Sequence, residues 1–383
     1  MARDMVEIIT TDLSEQPAVR AWRSLRFAAD GFVPAVPLRL EMLRRRDKSI
    51  VYRLVGVGRS GGDVIAKLAC RSSANVERDV YLVLRRLPIV STEFYGMVEA
   101  IGGRAGVEAC GLVAESQLSS PAPNGQAGGP DQRVSSPQFD HSASDANGEF
   151  SWLFLGDAEG TPFDSSDAGQ REIATRWLAA LHTSSSALAD ASRLPARGPA
   201  HYLGHLHGAQ AVIQRIRGNP IFSVADHTTL DEVQAWLDHA ESRWPDIVAC
   251  CHEVPWALVH GDFAARNVRV RGSDATARLL AFDWEVAGWG MPTVDLRDMD
   301  LDLYHALVAP HWPQLRIETL RQAARVGDLL RGCLAAVHWE ALKCEGKGVH
   351  ATMDNMRIFE QRFGTVFRDL GWLQGVACRE SRQ

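Results

Sequence analysis

The pattern of hydrophobic and polar positions divides the chain into a strand-rich first part and a helical second part. Two runs of apolar and β-branched residues, Ile50–Val57 and Val64–Leu68, flank the turn-forming sequence Arg59–Asp63 and predict a β-hairpin. An alternating run, Leu38–Leu43, precedes this hairpin, and Ser151–Leu155 has the apolar composition of a buried strand. The first part is therefore expected to be rich in strands.

Helix is predicted for most of the chain beyond these strands. Asn75 is a suitable cap for one helix inside the first part, which is expected to run to about Arg86. One β-rich interval, Trp256–Trp284, interrupts the helical second part. The main helical segments are Gly169–His182, Tyr202–Arg217, Thr229–Arg243 and most of the chain after Thr293. The pattern predicts an α+β protein.

Length and local composition indicate two lobes and one insertion. A chain of 383 residues exceeds what one hydrophobic core usually serves. We place an N-terminal lobe at residues 1–157 and a C-terminal lobe at residues 158–383. Within the first lobe, Ala114–Glu149 is rich in Ser, Pro, Gly, Asn and Gln and has almost no large apolar residues. This composition predicts a flexible surface insertion.

Composition and charge exclude several classes of function. The formal net charge is -6, which gives no electrostatic reason to bind nucleic acid or an anionic membrane. The charge is compatible with a cationic small-molecule partner. No run of apolar residues approaches the length of a membrane span, and the N-terminus lacks the apolar region of a signal peptide. Seven cysteines without a Cys-x-x-Cys pair suggest neither a disulfide framework nor a zinc site. A cytoplasmic protein is expected.

Candidate chemistry lies in the β-rich interval of the second part. Two apolar strands, Val268–Val270 and Arg278–Phe282, flank the turn-forming Gly272–Ala275 and predict a second hairpin. Positions 267 and 283 are symmetric about residue 275, so the hairpin is expected to bring Asn267 and Asp283 to its open end. A carboxylate beside an amide oxygen is a suitable site for Mg²⁺.

Asp262 precedes Asn267 by five residues, on the loop that enters this hairpin. Phosphoryl transfer requires neutralisation of phosphate charge and one acceptor for the proton of the attacking hydroxyl. Asp262 is the candidate for that acceptor. The set therefore predicts a magnesium-dependent phosphoryl transfer.

The sequence from His260 to Asn267, followed by Phe282 and Asp283, resembles the aminoglycoside phosphotransferase and choline kinase family. The resemblance implies a bilobal protein-kinase-like fold, with Asp262 as catalytic base and Asn267 and Asp283 as magnesium ligands. His260 belongs to the same catalytic motif, where bracing of the loop is favoured over proton transfer. A further match, Gly290–Leu296, contains Asp295, which is mainly structural in this family.

The same resemblance implies nucleotide-binding residues in the first lobe. Lys67 lies in the middle of a predicted strand, where burial requires an anionic partner. In this fold that lysine binds the α- and β-phosphates of ATP or GTP. Its expected partner on the following helix is Glu77, with Asp79 as the alternative.

Two further segments are expected to contact the nucleotide. Arg44–Ser49 takes the place of a glycine-rich turn; Ser49 either covers the phosphates or belongs to an ordinary solvated turn. Trp152–Asp157 is expected to be the hinge between the lobes, where the backbone near Phe154 and Leu155 would meet the purine. Nothing in this segment separates adenine from guanine.

The acceptor is expected to be a small molecule with a hydroxyl group. The catalytic motif lacks the arginine of protein kinases, because Gly261 takes that place. The acidic residues Asp298, Asp300, Asp302 and Glu340 either bind an amine-rich acceptor, as in aminoglycosides, or serve as solvated and capping residues of helices. A catalytically silent kinase-like module that binds a nucleotide or a partner is the alternative function, and a protein kinase of atypical sequence is a third.

Overall fold

The computed structural model describes residues 6–27, 31–46, 49–100, 149–188, 194–273, 276–344 and 349–373. Backbone contacts divide the chain into two compact units. The first comprises Met1–Leu82 and Thr92–Ala158, and the second comprises Val83–Ser91 and Glu159–Gln383. The insertion predicted at Ala114–Glu149 lies outside the described residues, except for Glu149.

The first unit is built on an antiparallel sheet of six described strands. In spatial order they are β1, β2, β3, β4, β6 and β5. The strands are β1 (Glu7–Ile9), β2 (Leu40–Arg46), β3 (Ser49–Leu54), β4 (Val64–Cys70), β5 (Phe94–Glu99) and β6 (Phe150–Gly156). The hairpin predicted from Ile50 to Leu68 is confirmed as β3 and β4, which pair from Leu54 opposite Val64.

One face of this sheet packs on a short N-terminal helix, α1 (Pro17–Ser24). Trp22 is fully buried, and its ring lies 5.5 Å from that of Phe154 and 5.3 Å from that of Tyr95. Proline at the first helical position suits the start of α1, because that residue has no intrahelical partner for an N–H group. Aromatic burial therefore fixes α1 on the sheet.

Two predicted boundaries in the first unit are wrong. The segment predicted as a hinge, Trp152–Asp157, belongs to β6 except for Asp157, and β6 has a neighbouring strand on each side; its part as a hinge stays a prediction. Arg44–Arg46 extend β2 instead of forming a turn, since backbone groups can pair across a ladder whatever the polarity of the side chains. The helix predicted from Asn75 is α2 (Arg71–Leu84), which begins immediately after β4 ends.

The second unit is mainly helical. Its described helices are α3 (Ala168–Ser186), α4 (Pro199–Ile216), α5 (Val224–Ser242), α6 (Trp244–His252), α7 (Leu301–Val308), α8 (Ile317–Gly327), α9 (Ala336–Lys343) and α10 (Val349–Leu370). Asp167 caps α3 by accepting from Gln170 N at 3.0 Å, and Ser223 with Asp226 forms a capping box for α5. The predicted α+β class, with strands first and helices afterwards, is confirmed.

Short strands in the second unit carry the candidate chemistry. A three-stranded sheet joins β7 (Thr161–Pro162), β10 (Val268–Arg271) and β11 (Arg278–Ala281), and another joins β8 (Ala196–Arg197), β9 (Ala257–Val259) and β12 (Gly288–Gly290). The hairpin predicted after residue 267 is therefore confirmed as β10 and β11.

A π-helical segment, Asp328–Ala335, joins α8 to α9 without a break. Segments of this type occur often at functional sites, because the wider turn redirects the side chains it carries. No helix among the described residues is long and apolar enough to cross a membrane.

Candidate active site

A buried ion pair lies in the first unit. Lys67 on β4 is 5% exposed and Glu77 on α2 is fully buried, and the Lys67 ammonium donates to Oε1 of Glu77. The rival carboxylate, Asp79, instead accepts from Nε of Arg78 at 2.9 Å. Glu77 is therefore the partner of Lys67, as predicted. A buried lysine keeps its charge only when an anion faces it, so β4 and α2 together present an oriented ammonium group.

The remaining first-unit residues that the sequence assigned to nucleotide binding lie within the sheet. Ser49 is the first residue of β3 and pairs with Ala69 on β4. Phe154 and Leu155 pair with β4 on one side and with β5 on the other. Phe154 and Leu155 thus have a neighbouring strand on each side, and contact of the backbone near them with a purine stays a prediction.

In the second unit, a loop follows β9 and carries His260, Gly261 and Asp262. The buried carboxylate of Asp295 accepts from the backbone N–H groups of His260 at 2.6 Å and of Gly261 at 2.9 Å. Gly261 has a φ of +72°, and a Cβ at this position would lie 2.8 Å from the carbonyl oxygen of Val286. The glycine and Asp295 therefore fix the loop from two sides.

His260 is fully buried, and the backbone engages both of its ring nitrogens. Nδ1 lies 3.3 Å from the backbone nitrogen of Asp262, and Nε2 lies 3.1 Å from the carbonyl oxygen of Phe282. The first contact needs an acceptor and the second a donor, which gives the tautomer with the proton on Nε2. The ring also packs on Trp284, with 4.4 Å between ring centroids. These contacts connect the Asp262 loop to the end of β11.

Asp262 accepts hydrogen bonds from three side chains. Nη2 of Arg266 lies 2.7 Å from Oδ1 and 2.5 Å from Oδ2, and Nδ2 of Asn267 lies 2.8 Å from Oδ2. Nη2 of Arg331 also donates to Oδ1, and Nε of Arg331 donates to the carbonyl oxygen of Gly261. The Asp262 side chain is 14% exposed, so the carboxylate is oriented and close to the surface.

The hairpin brings Asn267 and Asp283 to its open end with a register that differs by one residue from the predicted one. Val268 pairs with Ala281, and the carbonyl of Asn267 accepts from the N–H of Phe282. Asn267 is therefore opposite Phe282, and Asp283 follows one residue later.

Asn267 and Asp283 have oxygen atoms of the kind that bind a hard cation. The amide nitrogen of Asn267 donates twice to Asp262, which leaves the amide oxygen as an acceptor. Asp283 has a φ of +66°, in the left-handed region that non-glycine residues seldom adopt. Strained backbone of this kind occurs often at functional sites. An amide oxygen and a carboxylate are both oxygen ligands, the kind that Mg²⁺ prefers.

The acidic residues that the sequence suggested for amine binding all have other contacts. Asp300 caps α7, and Asp298 and Asp302 pair with Arg297 and Arg321. Glu340 is buried and accepts from Lys343 at 2.7 Å and from Asn355 at 2.9 Å.

Two arginines at Asp262 were missed by the sequence reasoning. Arg266 lies four residues after Asp262, and its spacing within the motif was a usable signal. Arg331 is 69 residues away and belongs to the π-helical segment, so no local pattern indicated it.

Comparisons with known proteins identify the family of the chain. The model of the phosphotransferase enzyme family matches residues 109–339, which is more than half of the chain. A comparison with curated protein sequences found no significant match.

Solved structures with a similar fold include three kinases or phosphotransferases. A GDP complex of an aminoglycoside 2'-phosphotransferase IIIa variant is 10% identical with a TM-score of 0.51, over 86% of this chain and 92% of that one. Choline kinase from Cryptosporidium parvum is 10% identical with a TM-score of 0.50, over 87% and 91%. A microcompartment-associated aminopropanol kinase is 14% identical with a TM-score of 0.51, over 87% and 92%. The predicted kinase-like fold and the predicted enzyme class are confirmed, and the chain belongs to the phosphotransferase enzyme family.

Proposed function

We propose that this enzyme is a small-molecule kinase that transfers the γ-phosphoryl group of ATP or GTP to a hydroxyl group of its acceptor. The observation that carries the proposal is the geometry of Asp262. Its carboxylate is oriented by Asn267 on a loop that Asp295 and Gly261 hold in place. Within this family, a fixed carboxylate beside an amide ligand supports phosphoryl transfer.

Each residue has a distinct part in the proposed reaction. Asp262 accepts the proton of the attacking hydroxyl, and the lysine of the Lys67–Glu77 pair binds the α- and β-phosphates. The amide oxygen of Asn267 and the carboxylate of Asp283 hold Mg²⁺, which neutralises phosphate charge when it is bound. Ser49 covers the phosphates from the start of β3.

His260 has a positioning part in this proposal. Its two ring nitrogens are engaged by the backbone at Asp262 and at Phe282, so neither is available to exchange a proton with an acceptor. The ring instead holds the Asp262 loop beside the end of β11, which is followed by Phe282 and Asp283. We therefore assign proton transfer to Asp262 alone.

The names of the similar structures favour an alcohol that also carries an amine as acceptor. They include an aminoglycoside phosphotransferase, a choline kinase and an aminopropanol kinase. An aminoglycoside-like compound, or another amine or sugar, is accordingly the starting class for an acceptor screen. An aminoglycoside acceptor would connect the enzyme with antibiotic resistance.

A silent kinase-like module is the second candidate, and one observation favours it. Both carboxylate oxygens of Asp262 already accept hydrogen bonds from arginine side chains. A silent module would bind the nucleotide and release no ADP with any acceptor. The enzyme and the module therefore differ in turnover and not in nucleotide affinity.

A thermal-shift titration with ATP and GTP, each with and without Mg²⁺, tests the nucleotide site. Ligand at a hundred times its dissociation constant stabilises a protein by about 2.7 kcal/mol. The wild type is expected to show a shift that requires Mg²⁺, and Asp283→Ala is expected to lose it. Asp302→Ala is the matched control, since this carboxylate is 73% exposed and lies on α7. A Mg²⁺-dependent shift that survives in Asp283→Ala would contradict the metal assignment.

Asp262→Ala separates binding from chemistry. This variant is expected to keep the Mg²⁺-dependent thermal shift and to lose release of ADP in the presence of an acceptor. Turnover equal to that of the wild type would show that Asp262 does not accept the proton.

A further inference from the structure

Arg331 is the most firmly held cation at Asp262. Its guanidinium donates to Gly261 and Asp262, and it lies over the ring of Trp339 at 4.5 Å from the centroid. The Arg331 side chain is 17% exposed, whereas that of Arg266 is 64% exposed. The guanidinium group of Arg331 is kept in one orientation by stacking on an aromatic ring and by two hydrogen bonds.

The carboxylate of Asp262 has no remaining acceptor capacity. A carboxylate offers about four acceptor sites. Arg266 occupies one on each oxygen, Arg331 one on Oδ1, and Asn267 one on Oδ2. An acceptor hydroxyl can therefore bond to Asp262 only after one donor leaves. Arg266 is the donor that leaves most easily, because its exposed side chain is well solvated.

Arg331 then stays beside the bound acceptor. Among the described residues, no acceptor of a hydrogen bond is found for Nη1 of Arg331, while Nε and Nη2 of the same group are both engaged. A hydroxyl at Asp262 consequently lies next to a fixed cation whose Nη1 still has N–H groups to donate. An ammonium group at that place would be repelled, and an anionic group would be bound with orientation.

The surroundings of Trp339 add polar hydrogen-bonding groups. The ring of His205 on α4 meets Trp339 edge to face at 5.5 Å, and Nδ1 of His205 lies 2.9 Å from Nδ1 of His338. Burial lowers the pKa of His338. The acidic residues considered above for amine binding are occupied elsewhere, since Asp302 pairs with Arg321 and Glu340 pairs with Lys343.

We propose that Arg331 determines acceptor specificity by binding an anionic group, a carboxylate or a phosphate ester, close to the hydroxyl that is phosphorylated. This inference rests on the proposed kinase function and names the acceptor class for the same site. It narrows the amine or sugar acceptors considered under the proposed function, because an amine on the acceptor must lie away from Arg331. Hydroxy acids, hydroxylated amino acids and sugar phosphates have the required groups.

Matched acceptor sets test the preference. One set is glycerol, serinol, glycerate and glycerol 3-phosphate, and a second is glucose, glucosamine, gluconate and glucose 6-phosphate. Each set keeps a similar carbon skeleton and changes the charge. Steady-state ADP formation by the full chain with MgATP is expected to give a kcat/KM for an anionic member at least about tenfold above that of the amine. Comparison of kcat/KM between the carboxylate member and the phosphate member of each set shows which of the two anionic groups is preferred. A preference for the amine or the neutral member in both sets would overturn the inference.

Variants at residue 331 connect that preference to the side chain. Arg331→Gln is expected to lower kcat/KM for the preferred anionic member by about tenfold to a hundredfold, the usual loss of a hydrogen bond to a charged group. Its kcat/KM for the neutral member is expected to change much less. Arg331→Lys keeps a positive charge and is expected to recover part of the kcat/KM for the anionic member. Arg325→Gln, an exposed arginine on α8, is the control.

The ratio between the anionic and neutral members separates recognition from structure. A merely structural part for Arg331 would lower both values equally, and that result would also overturn the inference. Failure of the kinase proposal has a different signature, which is the absence of ADP formation by the wild type with every member of both sets. An intact Mg²⁺-dependent thermal shift in Arg331→Gln establishes that the nucleotide site survives the substitution.

Discussion

Replacement of Lys67 by methionine would separate the stability of the first unit from its proposed nucleotide binding. Methionine has a similar length and no charge, so Lys67→Met removes the ammonium that Glu77 faces while it largely preserves packing. Lys67 is 5% exposed and Glu77 is fully buried. Removal of one member of a buried ion pair costs about 3–5 kcal/mol, because the other charge remains in a medium that solvates it poorly.

The expected change in the unfolding midpoint follows from this loss of free energy and the size of the first unit. For a domain of about 150 residues, 1 kcal/mol lowers the unfolding midpoint by about 2–4 °C. Lys67→Met is therefore expected to lower the midpoint of the first unit by about 10 °C, as measured by circular dichroism without nucleotide. The double variant Lys67→Met/Glu77→Leu is expected to recover most of this loss, since replacing both charges by apolar groups is often neutral.

Arg78→Met is the matched control, because Arg78 lies on α2, the helix that carries Glu77. The Arg78–Asp79 pair is about one-third exposed on both sides, and such pairs contribute about 0–1 kcal/mol. If Lys67→Met unfolds at the same temperature as Arg78→Met, the burial argument is refuted. The double variant should also lack the MgATP-dependent shift despite its restored stability. Nucleotide binding by that variant would refute the assigned part of Lys67.

Three further predictions concern other fixed points of the fold. Asp295→Asn can no longer offer a carboxylate oxygen to both His260 N and Gly261 N, so we expect a loss of about 1.5–3 kcal/mol in urea unfolding and a parallel loss of turnover. Gly261→Ala places a Cβ 2.8 Å from Val286 O at a φ of +72°, so turnover should fall with nucleotide affinity retained. Burial raises the pKa of Tyr95 to about 12, so the folded state keeps a proton that the unfolded state loses above about pH 10. The unfolding free energy should fall as the pH rises from about 10 to about 12, and urea titrations should show a smaller fall for Tyr95→Phe.

The chemistry that the sequence predicted is local in the chain. Asp262 and Asn267 are five residues apart. The two strands of the following hairpin are antiparallel, so the second strand ends beside the start of the first, close to Asn267. A pattern of two apolar runs and a turn therefore suffices to place Asp283 at the same end. The register was wrong by one residue because the number of turn residues is set by backbone geometry, which the composition of the strands does not determine.

Other uses of residues depend on tertiary contacts. Phe154 and Leu155 were assigned to a hinge by resemblance, and the pairing of β6 on both sides could not be derived from their sequence. Acidic residues such as Asp302 could serve either as substrate ligands or as partners of arginine, and only packing chooses between these uses. Lys67 and Glu77 were predicted by resemblance to the family, and the strand and the helix that carry them are adjacent in sequence.

Arg331 has a broader consequence for how specificity can change in this enzyme. The groups proposed for chemistry, Asp262, Asn267 and Asp283, all lie within one loop and one hairpin. The charge beside Asp262 comes from a π-helical segment 69 residues later. A substitution at residue 331 can therefore alter the charge that faces the acceptor while Asp262, Asn267 and Asp283 themselves stay unchanged in the sequence. Because separate segments supply reaction and recognition, the acceptor class of this enzyme should be decided by measurement at residue 331 and not from the catalytic motif.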